Sequence, residues 1–297
     1  MLRSPRAARR RPCYNPAVTG AVPERSDPAS AGEAYALRGS ADFAGFMAAT
    51  RSAAAQAAFV RPHLRPGMTL LDCGCGPGSI TVGLAELVAP GAVTGVDTDP
   101  AQVTRARALA AARGVATVRF EEASVYAMPF PDGAFDAVFS HALLEHLQLP
   151  VAALREMRRV AAPAGVVGVR TRDWEGLLLA PAEPALLESV ALWERLSRHS
   201  GGDPRRGKQL RALLHAAGFA RAEVSASYDC HATPATTQQW ATFWAAELRG
   251  TMGARLRALG WTDRATLEGM AAAWTAWAAR PDAFLARAFC EAVAWHA

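Results

Sequence analysis

The sequence predicts an α/β protein built on a parallel sheet with helices on both faces. Three observations carry this. An apolar strand runs into a glycine-rich turn, Asp72-Cys73-Gly74-Cys75-Gly76-Pro77-Gly78, which opens a helix. A second strand ends on Asp97, 25 residues beyond Asp72. After residue 40, strand-length apolar runs alternate with helix-length stretches, the pattern of a sheet wound by crossover helices.

In chain order, the first strand is predicted over Met68 to Asp72. Gly74, Gly76 and Gly78 permit positive φ and a close backbone approach, and Ser79 to Val88 carry the apolar spacing of the following helix. The next strand is Ala92 to Asp97, where a carboxylate can accept both hydroxyls of a ribose. A helix over Pro100 to Arg113, strands over Thr117 to Glu121 and Phe135 to Ser140, and a helix over Pro150 to Ala161 continue the alternation. The turn Pro163-Ala164-Gly165 leads into a fifth strand, Gly165 to Thr171. Beyond it the pattern loosens into helices at Pro181 to Ser200 and Gly207 to Ala217, a strand at Phe219 to Tyr228, and a helical block from Pro234 to Arg280. Phe289 to Trp295 is short and apolar enough for a last strand, and the chain has no internal repeat.

With 297 residues and a 51% apolar fraction, the chain can bury the core of one large domain or of one domain with an elaboration. No uninterrupted apolar run reaches the roughly 18 residues of a membrane span, and the first residues lack the apolar segment of a secretory signal, so a cytoplasmic protein without membrane contact is expected. The five cysteines are odd in number and scattered, unlike a disulfide framework. Cys73 and Cys75 read as small side chains filling the turn, and no metal is expected. Of the net charge of +5, most sits in residues 1–32, where six arginines face only Glu24 and Asp27. A tail of that composition is expected to be disordered. All eight tryptophans lie at or after Trp174. Trp240/Trp244 and Trp274/Trp277 each face one way on a helix, and either core packing or an aromatic acceptor pocket explains them.

Cys-Gly-Pro-Gly lacks the G-x-G-x-x-G spacing of a dinucleotide site. Three later blocks follow in order: Gly95-Val96-Asp97-Thr98-Asp99-Pro100, Met128-Pro129-Phe130-Pro131-Asp132-Gly133-Ala134-Phe135-Asp136, and His141-Ala142-Leu143-Leu144-Glu145-His146-Leu147. Together with the glycine turn they resemble the class I S-adenosylmethionine-dependent methyltransferases, closest to the small-molecule and quinone-biosynthesis-type enzymes, over roughly residues 60–172. The resemblance implies a Rossmann-like, mostly parallel seven-stranded sheet of order 3-2-1-4-5-7-6, with the last strand antiparallel. It implies S-adenosyl-L-methionine as cofactor and a small-molecule acceptor methylated on O, N or C.

On the same resemblance, backbone at Cys73, Gly74, Gly76 and Gly78 passes the methionine part of the cofactor, Asp72 supports the turn and the amino group, and Asp97 holds the ribose diol. Thr98 and Gln102 lie along the adenine, Ser124 or the amide of Val125 reads the base edge where relatives often carry an acid, and Ser140 borders the site. Tyr35 is expected to fold over the cofactor as a lid. His141, after the fourth strand, is the first candidate base and Asp173, expected on the loop after the fifth strand, the second. His146 reads as structural. The expected divisions are a basic tail at 1–32, a methyltransferase core at 33–229, a helical cap at 230–288 contributing to the acceptor pocket, and a final strand at 289–297. The alternatives are an RNA or other nucleic-acid methyltransferase and a non-catalytic cofactor-fold binding protein. Against the first, Ser140-His141-Ala142-Leu143 lacks the Asn/Asp-Pro-Pro-Tyr/Phe motif and no basic surface is concentrated outside the tail, so no nucleic-acid partner is expected. A homodimer is one option for assembly.

Overall fold

The computed structural model describes residues 36, 37 and 39–296; the tail at 1–32 and Tyr35 lie outside the described residues. Two helices the sequence reading did not anticipate come first, α1 (Ala41–Thr50) and α2 (Ala53–Gln56). Each is started by a serine, Ser40 and Ser52, whose hydroxyl accepts a backbone N–H of the first turn. The sheet then builds through β1 (Leu70–Cys73), α3 (Ser79–Val88), β2 (Val93–Asp97), α4 (Pro100–Ala112), β3 (Val118–Glu122), β4 (Phe135–His141), α5 (Pro150–Val160) and β5 (Ala161–Ala180). After it come α6 (Pro184–His199), α7 (Leu210–Ala216), β6 (Arg221–His231), α8 (Pro234–Arg249), α9 (Thr251–Ala258), α10 (Arg264–Ala278) and β7 (Phe284–Trp295).

The seven strands run in the order β3-β2-β1-β4-β5-β7-β6, as the resemblance implied. β1 to β5 pair in parallel, and β7 runs antiparallel between β5 and β6. Every residue of β1 is buried because helices cover both faces, which is why it reads as an unbroken apolar run. α5 shows how a covering helix is written: Ala153, Leu154, Met157 and Val160 form its buried stripe, and the rest of its surface is largely charged.

Several boundaries differ from expectation. β5 is twenty residues long rather than seven and shifts register between Asp173 and Leu178, so Asp173 is a strand residue paired with Ala288, not a loop residue. β7 starts at Phe284 and β6 ends at His231, so the sheet claims both ends of the segment expected as a cap at 230–288. The helical block divides into three. Gly250 breaks it with φ −96°, ψ −128°, and Asp263 starts α10 by accepting the Thr266 amide. α8 to α10 share an aromatic core with α1 and α6, in which Phe46, Trp193, Trp240, Trp244, Trp274 and Trp277 are all buried.

Candidate active site

The carboxyl ends of β1, β2 and β4 meet the N-terminal helix α1 around a cleft. Its floor is the glycine turn. The amides of Gly74 and Cys75 donate to Val96 O at 2.8 and 3.0 Å, which pins the turn to β2. Gly78 caps α3 with φ +81°, and a Cβ there would come within 2.8 Å of Ala106 Cβ, so only glycine lets the two helices close on the turn. A Cβ on Gly74 would meet Leu143 at 3.0 Å.

Asp72, Asp97 and Asp99 line this end, the last of them as the N-cap of α4. Asp97 Oδ2 accepts the Gly76 amide at 2.9 Å and Oδ1 the Asp99 amide at 3.0 Å, which fixes the rotamer at the cleft. Asp72 is 2% exposed and accepts the Thr81 hydroxyl at 2.6 Å. Burial above all, with the Asp97 charge, pushes its pKa up to about 7 despite that hydrogen bond. Thr98 and Gln102 line the adjoining wall, and the buried Gln102 Oε1 has no hydrogen-bond partner. A carboxylate at the end of β2, an orphaned amide oxygen, and a carboxyl that a cation would ionise fit the nucleoside and ammonium groups of S-adenosylmethionine.

Three expected contacts are not placed as anticipated. Cys73 is fully buried with its sulfur 3.8 Å from Met128 Sδ, and Cys75 lines the cleft instead. Burial holds the Cys75 thiol well above its usual pKa, so it is a protonated wall group. Ser140 donates to Cys73 O at 3.1 Å and ties β4 to β1. Ser124 accepts the Tyr126 amide within its turn, and Ala123 and Val125 border the neighbouring hollow.

At the other end stand His141 and His146, with Phe43, Met47 and Arg51 of α1 and its end closing above them. His141 is 4% exposed, and neither ring nitrogen has a hydrogen-bond partner. Its ring stacks on Phe289, centroids 5.4 Å apart. Burial first, then Arg51, Arg170, Arg172 and Arg287, hold its pKa well below the usual value, so the imidazole is neutral. His146 also faces the cleft rather than a neighbouring loop alone, and burial lowers it to about 4. Ala142, directly after His141, has φ +53°, an uncommon conformation held by the hydrogen bond its amide donates to Arg170 O at 2.8 Å. Asp173 is not part of this group: its oxygens accept the amides of Glu175 and Lys208 at 3.0 and 2.9 Å.

The arginines come from a pattern the sequence reading passed over. Arg170, Arg172 and Trp174 alternate along β5, and Arg287, Phe289 and Glu291 along β7; pairing sets Arg170 beside Glu291 and Arg172 beside Phe289. A period of two puts each trio on one face. That face, with Trp240 and Trp244 of α8 and Phe43 and Phe46 of α1, walls a second, narrower hollow that shares Phe43 with the cleft.

Comparison with known proteins agrees with this geometry. Residues 71–169 match a family model described as a methyltransferase domain. The probable methyltransferase ltbC of Aspergillus luteorubrus is 30% identical over 83% of this chain and 92% of its own length. An uncharacterized methyltransferase of Schizosaccharomyces pombe is 38% identical over 58% of this chain, and the match spans 64% of that relative. Among solved structures, the [4+2]-cyclase SpnF shares the fold with a TM-score of 0.50 and 24% identity, covering 86% of this chain and 80% of that one.

Proposed function

The chain belongs to the class I S-adenosylmethionine-dependent methyltransferases, and from that premise we propose that it methylates an O, N or C atom of a small, aromatic or secondary-metabolite-type acceptor. The observation that carries this reading is the cleft itself: ribose and amino-group carboxylates at one end, and an unpartnered, neutral His141 at the other.

S-adenosylmethionine supplies, when bound, a methyl group already activated on a positive sulfur. The chain's own work is alignment, desolvation and the handling of one proton. Asp97 accepts the ribose hydroxyls, Gln102 and Thr98 lie along the adenine, and Val125 closes its edge. Asp72 ionises against the cofactor's ammonium. Ser140 and Cys73 act behind the cleft by holding β4 to β1. Phe43 and Met47 exclude water. His141 accepts the acceptor's proton where the nucleophile carries one; a carbon or amine nucleophile that is already unprotonated needs only its shape. α8 and α1 roof the adjoining hollow closely, which suits a small molecule better than a polynucleotide strand. The segment 234–278 is thus assigned to the acceptor side.

Incubation of the purified protein with methyl-labelled cofactor and a metabolite extract, read by product mass, tests the reading. A labelled product is expected, reduced most by His141→Ala for acceptors that must lose a proton. Cofactor binding with no labelled product from any extract fraction would favour a binding protein.

A further inference from the structure

The second hollow has an unusual chemical bias. Trp193, Trp240 and Trp244 line it, and the indole N–H of each is buried without an acceptor. Arg172 and Arg287 also line it, 4% and 7% exposed, and the Nε–H of each lacks an acceptor. Five side chains that wall one space therefore each carry a buried donor without an acceptor. Glu247 is the only carboxyl on the wall among the described residues; Ser40 donates to it, and burial pushes its pKa up.

Charge tells the same story. Arg170 is answered by Glu291 at 2.8 Å and Asp229 at 2.7 Å, and Arg287 shares Asp229 at 3.3 Å. The Arg172 guanidinium forms no ion pair or hydrogen bond among the described residues and lies instead against the rings of Trp174 and Phe289, 5.5 and 5.4 Å from their centroids. Glu145 offsets it only through space: the Thr171 hydroxyl donates to its Oε2, and no hydrogen bond joins it to Arg172. Burying a guanidinium without a paired anion costs several kcal/mol in real proteins. Water can answer one or two of the donors but brings no charge to offset Arg172.

We propose that this hollow anchors the methyl acceptor and that the acceptor is an anion: a planar, largely apolar small molecule whose carboxylate is held by Arg172, Arg287 and the indole N–H groups of Trp193, Trp240 and Trp244. The inference rests on the methyl-transfer reading and narrows its substrate class. Aromatic walls from Phe43, Phe46 and Phe243 suit the apolar body. The position also serves the chemistry, because Phe289 touches both the His141 ring and the Arg172 guanidinium. An anion seated there offsets the arginine charges that weaken His141 as a base, so acceptor binding itself strengthens the base.

Calorimetric titration of the full chain, saturated with S-adenosylhomocysteine, with benzoate, cinnamate and indole-3-acetate, each beside its neutral amide, and with phenyl phosphate, tests the assignment. At least one carboxylate is expected to bind about tenfold or more tightly than its amide, as loss of a charge-assisted contact predicts. Arg172→Gln should erase that preference and Arg172→Lys keep part of it. The wild-type carboxylate/amide ratio stands by itself should a variant fail to fold. Equal binding of acid and amide, no binding by any carboxylate, or an unchanged preference in folded Arg172→Gln overturns the proposal; so does tighter binding of phenyl phosphate, which would make the site a phosphate anchor. S-adenosylhomocysteine binding measured first on the same sample separates this failure from failure of the methyltransferase reading.

Discussion

Trp240 and Trp244 on α8 and Trp274 and Trp277 on α10 are buried to the same degree, between 0% and 3% exposed, yet their indole nitrogens differ. Trp274 donates to Ser189 Oγ at 2.9 Å and Trp277 to Ala180 O at 3.1 Å. The N–H groups of Trp240 and Trp244 have no acceptor. The difference teaches that burial alone does not separate packing from recognition. A satisfied donor is accounted for by folding, and an unsatisfied one beside a cavity calls for a further partner, which the proposal above supplies as a ligand. Of the two explanations that the sequence leaves open, packing accounts for Trp274 and Trp277, and the acceptor pocket is the one proposed for Trp240 and Trp244.

The largest expected break in this comparison is on α10. Trp274→Ala should destabilise the protein by about 3–5 kcal/mol, from lost packing and the lost indole hydrogen bond to Ser189 Oγ, with urea unfolding as the check. A loss under 1 kcal/mol would show that α10 is not core.

The second effect is at the cofactor end, where a ligand-directed group should likewise burden the empty fold. Because the Asp72 pKa is raised from 3.8 to about 7, the folded state favours the protonated carboxyl; that contribution is full below about pH 4 and is lost as pH rises through 7. Asp72→Asn keeps an acceptor for Thr81 and should therefore stabilise the ligand-free protein at pH 8 by about 1–4 kcal/mol and by little at pH 4. Thermal melts at the two pH values decide this. The same substitution should weaken cofactor binding, and a variant less stable at pH 8 would contradict the placement of Asp72.

The smallest effect sharpens the comparison most. Trp274→Phe and Trp240→Phe remove similar ring area, but only the first breaks a hydrogen bond, so it should cost about 1 kcal/mol more. Equal losses would mean that Trp240 has an acceptor in solution.

The cofactor end was legible in the sequence because it is contiguous: Asp72, the glycine turn, Asp97, Thr98 and Gln102 fall within 31 residues and keep their relative places through strand and helix geometry. Where it was misplaced, the end of a strand decided. Cys73 and Cys75 are two residues apart, but β1 ends at Cys73 and the positive φ of Gly74 breaks the alternation before Cys75, which alone of the two lines the cleft. The other end was not legible because it is assembled from afar, with α1 and β5 giving two side chains each, β7 one and α8 four. Arg170-x-Arg172-x-Trp174 and Arg287-x-Phe289-x-Glu291 carried a period-two signal, yet the boundaries expected for the fifth and seventh strands cut both trios short. Asp173 was read as a base for the same reason: a strand ended too early turns a strand residue into a loop residue.

Titration calorimetry with S-adenosylhomocysteine on wild type, Asp97→Ala and Trp240→Phe tests the central claim, that one end of this molecule holds the cofactor and the other the acceptor. Wild type should bind, Asp97→Ala should bind about 1–3 kcal/mol more weakly, and Trp240→Phe should match wild type. Unchanged affinity in Asp97→Ala, or an equal loss in Trp240→Phe, would contradict the division.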